Sequence, residues 1–175
     1  MKYIALLRGV NVGGNHRVDM LTLRQAFEQV GCCDVKTYLN TGNVVFSAEQ
    51  PPTAEKLEKI LENTFGFSVP VLVVDANVLA RVAESIPDGW KNDDVQKSDI
   101  AFLFPPVDDA SIVMKLQLNS DIETGVYVPG ALLYNIERRH QSRSGLLRAV
   151  GTPLYKQMTI RNVNTVRKLA EISAE

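Results

Sequence analysis

Eight Arg or Lys residues (138, 139, 143, 148, 156, 161, 167 and 168) fall between Arg138 and Lys168, a stretch without a single Asp or Glu. The chain carries a formal net charge of −1 over 175 residues, so these cations are concentrated rather than spread. Asp75 to Glu123 compensates, with ten acidic residues against four basic ones. Clustered cations create a local field that net charge conceals, and that field favours an anionic partner. A small anionic, nucleotide-like ligand is the first expectation. A nucleic-acid-binding surface over 138–168 is the second, with Tyr127, Tyr134 and Tyr155 near it as stacking aromatics. An enzyme acting on an anionic substrate is the third, with His16 as its acid–base group.

Helix starts sharpen the anion reading. Asp19, Glu55, Asp75 and Asp108-Asp109 each stand at the opening of an expected helix, complementing its positive pole. The last two expected helices open instead on Ser142-Arg143-Ser144-Gly145 and Arg161-Asn162-Val163. An Arg at that pole is unfavourable by roughly 0.3–1 kcal/mol. A bound anion offsets that cost, and so does a carboxylate from elsewhere in the fold. Ser142, Ser144, Asn162 and Asn164 also have the chemistry of simple caps.

A second cluster surrounds the loop Arg8-Gly9-Val10-Asn11-Val12-Gly13-Gly14-Asn15-His16-Arg17. Its glycines either free backbone N–H groups to hold an oxyanion or supply the positive φ of a long connection. It lacks the Gly-Lys-Ser/Thr of a phosphate-binding loop and the G-x-G-x-x-G spacing of dinucleotide sites. The combined candidate site is ligand-binding, with charge from Arg8, Arg17 and Arg161 and oriented polar contacts from Asn11, Asn43, Ser144 and Asn162. Arginine's planar fork suits such oxyanions.

Other chemistries find less support. His16 and His140 have no Cys or His at metal-ligand spacing, so neither metal nor cofactor is expected. No G-x-S-x-G elbow occurs. The adjacent Cys32 and Cys33 read as reduced thiols. No run reaches the roughly 18 apolar residues of a membrane span, and Arg8 interrupts the opening too early for a signal peptide. The expectation is a cytoplasmic protein without a membrane partner.

The elements that must position these residues scan in two halves. Residues 1–75 read as strand Tyr3–Arg8, a helix capped by Asp19 and stopped by Gly31, strands Val35–Leu39 and Val44–Ser47, a helix after Pro51-Pro52-Thr53, and strand Val69–Val74. That order, βαββαβ, is the split βαβ plan of ferredoxin-like folds. It sets the first strand's end beside the Asn40–Asn43 turn. Residues 76–175 read as a helix to Ser85, a link over Pro87–Ser98, strand Ile100–Phe104, a helix at Asp109–Leu118, strands Glu123–Val128 and Ala131–Glu137, and helices Ser142–Val150 and Val163–Ile172. This is a partial repeat, giving an α+β fold of two related subdomains, 1–75 and 76–175, packed as one unit.

Four ordered motifs, Ala-Leu-Leu-Arg-Gly-Val-Asn-Val-Gly-Gly-Asn (5–15), Thr-Gly-Asn-Val-Val-Phe (41–46), Phe-Gly-Phe-Ser-Val-Pro-Val (65–71) and Thr-Ile-Arg-Asn-Val-Asn-Thr-Val-Arg-Lys-Leu (159–169), resemble a bacterial family, the domain of unknown function 1697. The resemblance spans nearly the whole chain. It implies two intertwined ferredoxin-like subdomains and supplies no activity. Two positions depart from the family pattern: Gly145 stands where the family often has Lys, and Val163 where it often has Trp.

Overall fold

A computed structural model describes all 175 residues. The chain divides into two compact units, Met1–Leu79 with Leu169–Glu175, and Ala80–Lys168. The last seven residues therefore belong with the first unit, where the Glu175 carboxylate lies 3.1 Å from Lys36 Nζ.

In the first unit, strand β1 (Lys2–Leu7) is buried along nearly its whole length, as its unbroken apolar run demands. Helix α1 (Met20–Gln29) begins where Asp19 accepts a 2.8 Å bond from Thr22 N–H, and it buries Leu23, Ala26 and Phe27. Strands β2 (Cys33–Tyr38) and β3 (Asn43–Ser47) form the expected hairpin. Helix α2 (Ala54–Phe65) is capped by Thr53 and closed by Gly66 in the left-handed conformation. Strand β4 (Val71–Asp75) completes a sheet of order β2-β3-β1-β4, antiparallel at every pairing. One face of this sheet packs beneath α1 and α2 through Tyr3, Ala5, Leu7, Phe27, Phe46, Leu57 and Leu61.

The second unit repeats the plan. Helix α3 (Ala76–Glu84) starts in the first unit and leads to β5 (Gln96–Leu103), α4 (Ile112–Lys115), β6 (Glu123–Val128) and β7 (Ala131–Glu137). A 3-10 segment (Arg138–Arg143), α5 (Gly145–Arg148), α6 (Pro153–Lys156), β8 (Met158–Asn162) and α7 (Val163–Ala174) follow. The sheet order is β6-β7-β5-β8, matching the first unit strand for strand. Register superposes as well: Tyr3 pairs with Phe46 and Asp75, and Asp99 pairs with Tyr134 and Asn162. Ile4-Ala5 thus corresponds to Ile100-Ala101. Asp75 and Asn162 are also equivalent in role, since each side chain accepts a backbone N–H at the start of the helix that follows.

Three expectations are corrected here. Strand β8 replaces the irregular chain expected before the last helix, so Arg161 lies inside a strand, opposite Ile100. The helix expected over 109–118 shrinks to four residues, because Gln117 turns into positive φ. The helix expected over 142–150 is split at Ser144, whose extended backbone and side-chain bond to Leu147 N–H make it a cap rather than an interior residue.

Gly42 shows how tightly the first unit is packed. It has φ +78°, and a Cβ there would stand 2.6 Å from Leu7 Cβ and 2.7 Å from Val10 Cγ2. Gly66 has φ +79° with nothing within 4 Å. Gly66→Ala is expected to cost only the left-handed strain, about 1–2 kcal/mol. Gly42→Ala adds the overpacking and is expected to cost about 2–4 kcal/mol. Denaturant midpoints of the two variants check this, and equal losses would contradict the packing around Gly42.

Candidate functional site

Each candidate residue from the sequence has a defined place. In the first unit, Asn11 pins the glycine loop: its side chain accepts from Val18 N–H at 2.9 Å and donates to the carbonyls of Val18 (2.9 Å) and Asn40 (2.6 Å). The loop therefore does lie beside the Asn40–Asn43 turn, as strand order requires. Asn43 is fully buried and donates to Tyr38 O and Thr41 Oγ1. Arg17 is exposed, and with Asn11, Asn15, Asp19 and Asn40 it lines an open depression of about 540 Å³. Arg8 is half-buried at the end of β1, and its backbone N–H donates to Pro70 O. His16 stacks on Phe67 with ring centroids 4.6 Å apart.

In the second unit the sheet separates two residues expected to act together. Arg161 shares a face with its partner Ile100, while Ser144 lies over the opposite face, where Tyr134 and Asp99 point. Arg161 is buried and donates to Thr159 Oγ1 and Ile160 O, and burial pulls its guanidinium down to about 10. Asn162 caps α7 through Thr165 N–H at 2.9 Å.

The other arginines of the basic stretch are largely directed at main-chain carbonyls. Arg138 donates to Asp93 O, Arg148 to Arg143 O and Gln117 O, and Arg167 to Trp90 O and Pro87 O. Arg139 pairs with Glu137 at 2.6 Å, and Arg143 contacts His140 Nδ1. Much of the concentrated charge thus closes loops.

Glu123, a residue the sequence reading did not single out, fills the helix start at Ser144. Its carboxylate accepts from Gly145 N–H (2.9 and 3.0 Å), Asn119 N–H (2.6 Å) and Tyr134 OH (2.6 Å). Tyr134 OH also meets Ser144 Oγ at 2.5 Å. The internal carboxylate foreseen as one alternative is therefore present at α5. Gly145 is explained too: a Cβ there would lie 3.0 Å from Glu123 Oε1 and 3.1 Å from two carbonyls. Any side chain at this position would require Glu123 or those carbonyls to give by a few tenths of an ångström.

Burial pushes the Glu123 carboxyl up, but the bonds from Tyr134, Asn119 and Gly145 outweigh it and hold the group below its ordinary 4.5. Burial, then the bond to Glu123, drive Tyr134 well above its ordinary value. At neutral pH the pair is a carboxylate and a neutral phenol, a fixed brace with no proton to move.

Beside this brace the sheet face is not filled. A cavity of about 430 Å³ lies between β5, β7 and β8 and the 138–156 segment. Its apolar wall includes Leu146, Leu147, Val150 and Ile160, and its polar end holds Lys97, Asp99 and Gln141. Ser144 also lines it, the one member of the sequence-derived site to do so. Asp99 is 7% exposed, with Lys97 Nζ 3.6 Å from its carboxylate, and burial raises its pKa despite that cation. In the first unit the matching place holds an aromatic pair: Tyr3, equivalent to Asp99, stacks on Phe46, equivalent to Tyr134, at 5.8 Å.

A family model described as a protein of unknown function (DUF1697) matches residues 1–134. The chain belongs to this family. The family's four motifs in this chain include 159–169, which lies beyond the matched residues. A solved structure, that of the conserved bacterial protein SP0830 from Streptococcus pneumoniae, is similar over 98% of both chains, at 25% identity with a TM-score of 0.81. The DUF1697 chain thus shares its whole two-unit fold with that protein. Among curated proteins, none matches. No helix of the DUF1697 chain is long and apolar enough to cross a membrane.

The Glu123 brace has a pH signature. A carboxyl whose folded pKa is depressed contributes stability that is present above its unfolded pKa and lost as pH falls through the folded value. Glu123→Gln is expected to lower stability by about 1.5–3 kcal/mol at pH 7, since an amide cannot accept from all three donors. The gap from wild type is expected to narrow below about pH 4.5. Urea titrations at pH 7 and pH 3.5 check it, and a constant gap at both would refute the brace.

Proposed function

We propose that this DUF1697 protein is a binding protein for a small organic anion, held in the cavity of its second unit. The observation that carries the reading is the difference between two equivalent places in one duplicated fold. Where the first unit stacks Tyr3 on Phe46, the second sets Asp99, Lys97, Tyr134 and Ser144 around open space. Apolar side chains left uncovered along such a cleft forgo burial that a ligand seated there would supply. At about 430 Å³, with an apolar wall and a polar end, the cavity has the dimensions of a small-ligand site.

The anionic end of the ligand belongs at Lys97, the cation among the cavity's lining residues, with Gln141, Ser142 and Ser144 as hydrogen-bonding groups. Its apolar body lies on Leu146, Leu147 and Val150. Leu147 and Val150 are about half exposed, so the apolar side opens to solvent and provides the entry.

Thermal denaturation against short branched and aromatic carboxylates and small phosphate esters tests this. A binding ligand at 100 times its Kd is expected to add about 2.7 kcal/mol. Val150→Trp, which places bulk at the rim, is expected to abolish the shift while leaving the ligand-free melting temperature nearly unchanged. Flat curves for wild type across the panel, or an undiminished response in the variant, would remove this cavity as the site.

A further inference from the structure

Lys97 and Asp99 stand on the same face of β5, two residues apart, and both line the cavity. They are the polar end's two opposite charges, 3.6 Å from each other. The separation is longer than a good charge-assisted hydrogen bond, so the pair is close without being closed on itself. Asp99's side chain is more than nine-tenths buried, and Lys97 is the one ion-pair partner of its carboxylate. No backbone N–H or hydroxyl of the second unit donates to it, in contrast to the three donors on Glu123. Burial penalises the Asp99 carboxylate and Lys97 is its one close cation, so a second cation set against it relieves that cost.

A simple anion at Lys97 would come to rest against this carboxylate. A ligand carrying its own cation beside its anion meets both groups at once. Resting on the cavity reading above, we propose that the ligand is a zwitterion of the α-amino-acid type with an apolar side chain. Its carboxylate sits at Lys97, its ammonium at Asp99, and its side chain on Leu146, Leu147, Val150 and Ile160. The cavity's volume admits a free amino acid or a compound modestly larger. The residues equivalent to Lys97 and Asp99 in the first unit, Met1 and Tyr3, provide no carboxylate beside a cation, so one site per chain is expected.

Isothermal titration calorimetry on the full chain separates the possibilities. L-leucine is compared with 4-methylpentanoate, which lacks the ammonium, and with 3-methylbutylamine, which lacks the carboxylate. L-phenylalanine is compared with 3-phenylpropanoate and 2-phenylethylamine in the same way. The amino acid of at least one series is expected to bind about tenfold or more tighter than both of its truncated forms, because each truncation leaves Asp99 or Lys97 without its ligand partner. Asp99→Asn is expected to bring it to the level of the acid, and Lys97→Met to the level of the amine. Since burial already disfavours the Asp99 carboxylate, Asp99→Asn is expected to melt no lower than wild type, so lost binding reports the site and not the fold.

An acid binding as tightly as its amino acid overturns the zwitterion and leaves the small-anion reading standing. An amine binding as tightly as its amino acid overturns both the zwitterion and the placement of an anion at Lys97. Absence of binding by all six compounds overturns the proposal, and the cavity reading falls with it only where the wider carboxylate and phosphate panel is also flat.

Discussion

The second unit is organised around one carboxylate. Glu123 sits at the first position of β6 and gathers Asn119 N–H from the turn before it, Tyr134 OH from β7 and Gly145 N–H from the start of α5. Three successive elements thereby share a single buried anion. A buried carboxylate is tolerable only when its lone pairs are occupied, and here the donors that occupy it are also the groups most in need of an acceptor. The N-terminal N–H of a four-residue helix has little macrodipole of its own to offer, so a direct bond holds it in place. The size of the residue at 145 follows from this contact, and so does the position of Ser144, which bonds Tyr134 from above and Leu147 N–H from below.

The brace also explains why the two units differ while sharing a topology. In the first unit, α1 and α2 run for ten and twelve residues and cover the sheet with a continuous apolar face. In the second, the corresponding cover is a set of four-residue turns, α4, α5 and α6, and each interruption has a local cause. Gln117 enters positive φ beyond α4, Ser144 turns extended before α5, and Gly151 and Pro153 separate α5 from α6. Short turns cannot lay down the side chains of a full helix, so the sheet face near Asp99 is left partly uncovered. Glu123 and the arginine bonds to loop carbonyls keep this thin layer in place where apolar packing is insufficient.

Much of this was legible in the residues, and the rest failed for identifiable reasons. The first unit announced itself because its strands are apolar runs and its helices have caps at both ends, signals that local sequence carries alone. The Asn11–Asn40 contact followed from strand order. Strand β8 was obscured because Met158-Thr159-Ile160-Arg161-Asn162 is short and carries a guanidinium that only its neighbours can bury. Ser144 and Asn162 announced caps, and they cap. Their apparent kinship with Arg161 came from two expected helix starts that both carry Arg, but Arg161 lies within a strand and faces the side of the sheet away from Ser144. Asp99 was hidden at the head of an apolar strand. The signal that exposes it is the internal repeat: set against Tyr3-Ile4-Ala5, the segment Asp99-Ile100-Ala101 differs at one place, and there a charge replaces an aromatic ring.

That replacement is the physical reason for looking to the second unit for function. Two halves with one topology are under the same packing demands, so a sound core in one shows what the other could have had. Tyr3 against Phe46 contributes apolar burial and an aromatic contact. Asp99 in the equivalent position contributes neither, and its charged form is penalised by burial, with Lys97 and, more weakly, Arg138 in relief. Departures from local consistency of this kind concentrate where a chain has work other than folding. Glu123 departs equally from an apolar core, yet all of its bonding capacity is used within the fold, and its role ends there. Asp99 differs in retaining unused acceptor capacity beside empty volume. Burial alone does not distinguish the two carboxylates; the number of donors each already has does, and by that measure the site lies at Asp99.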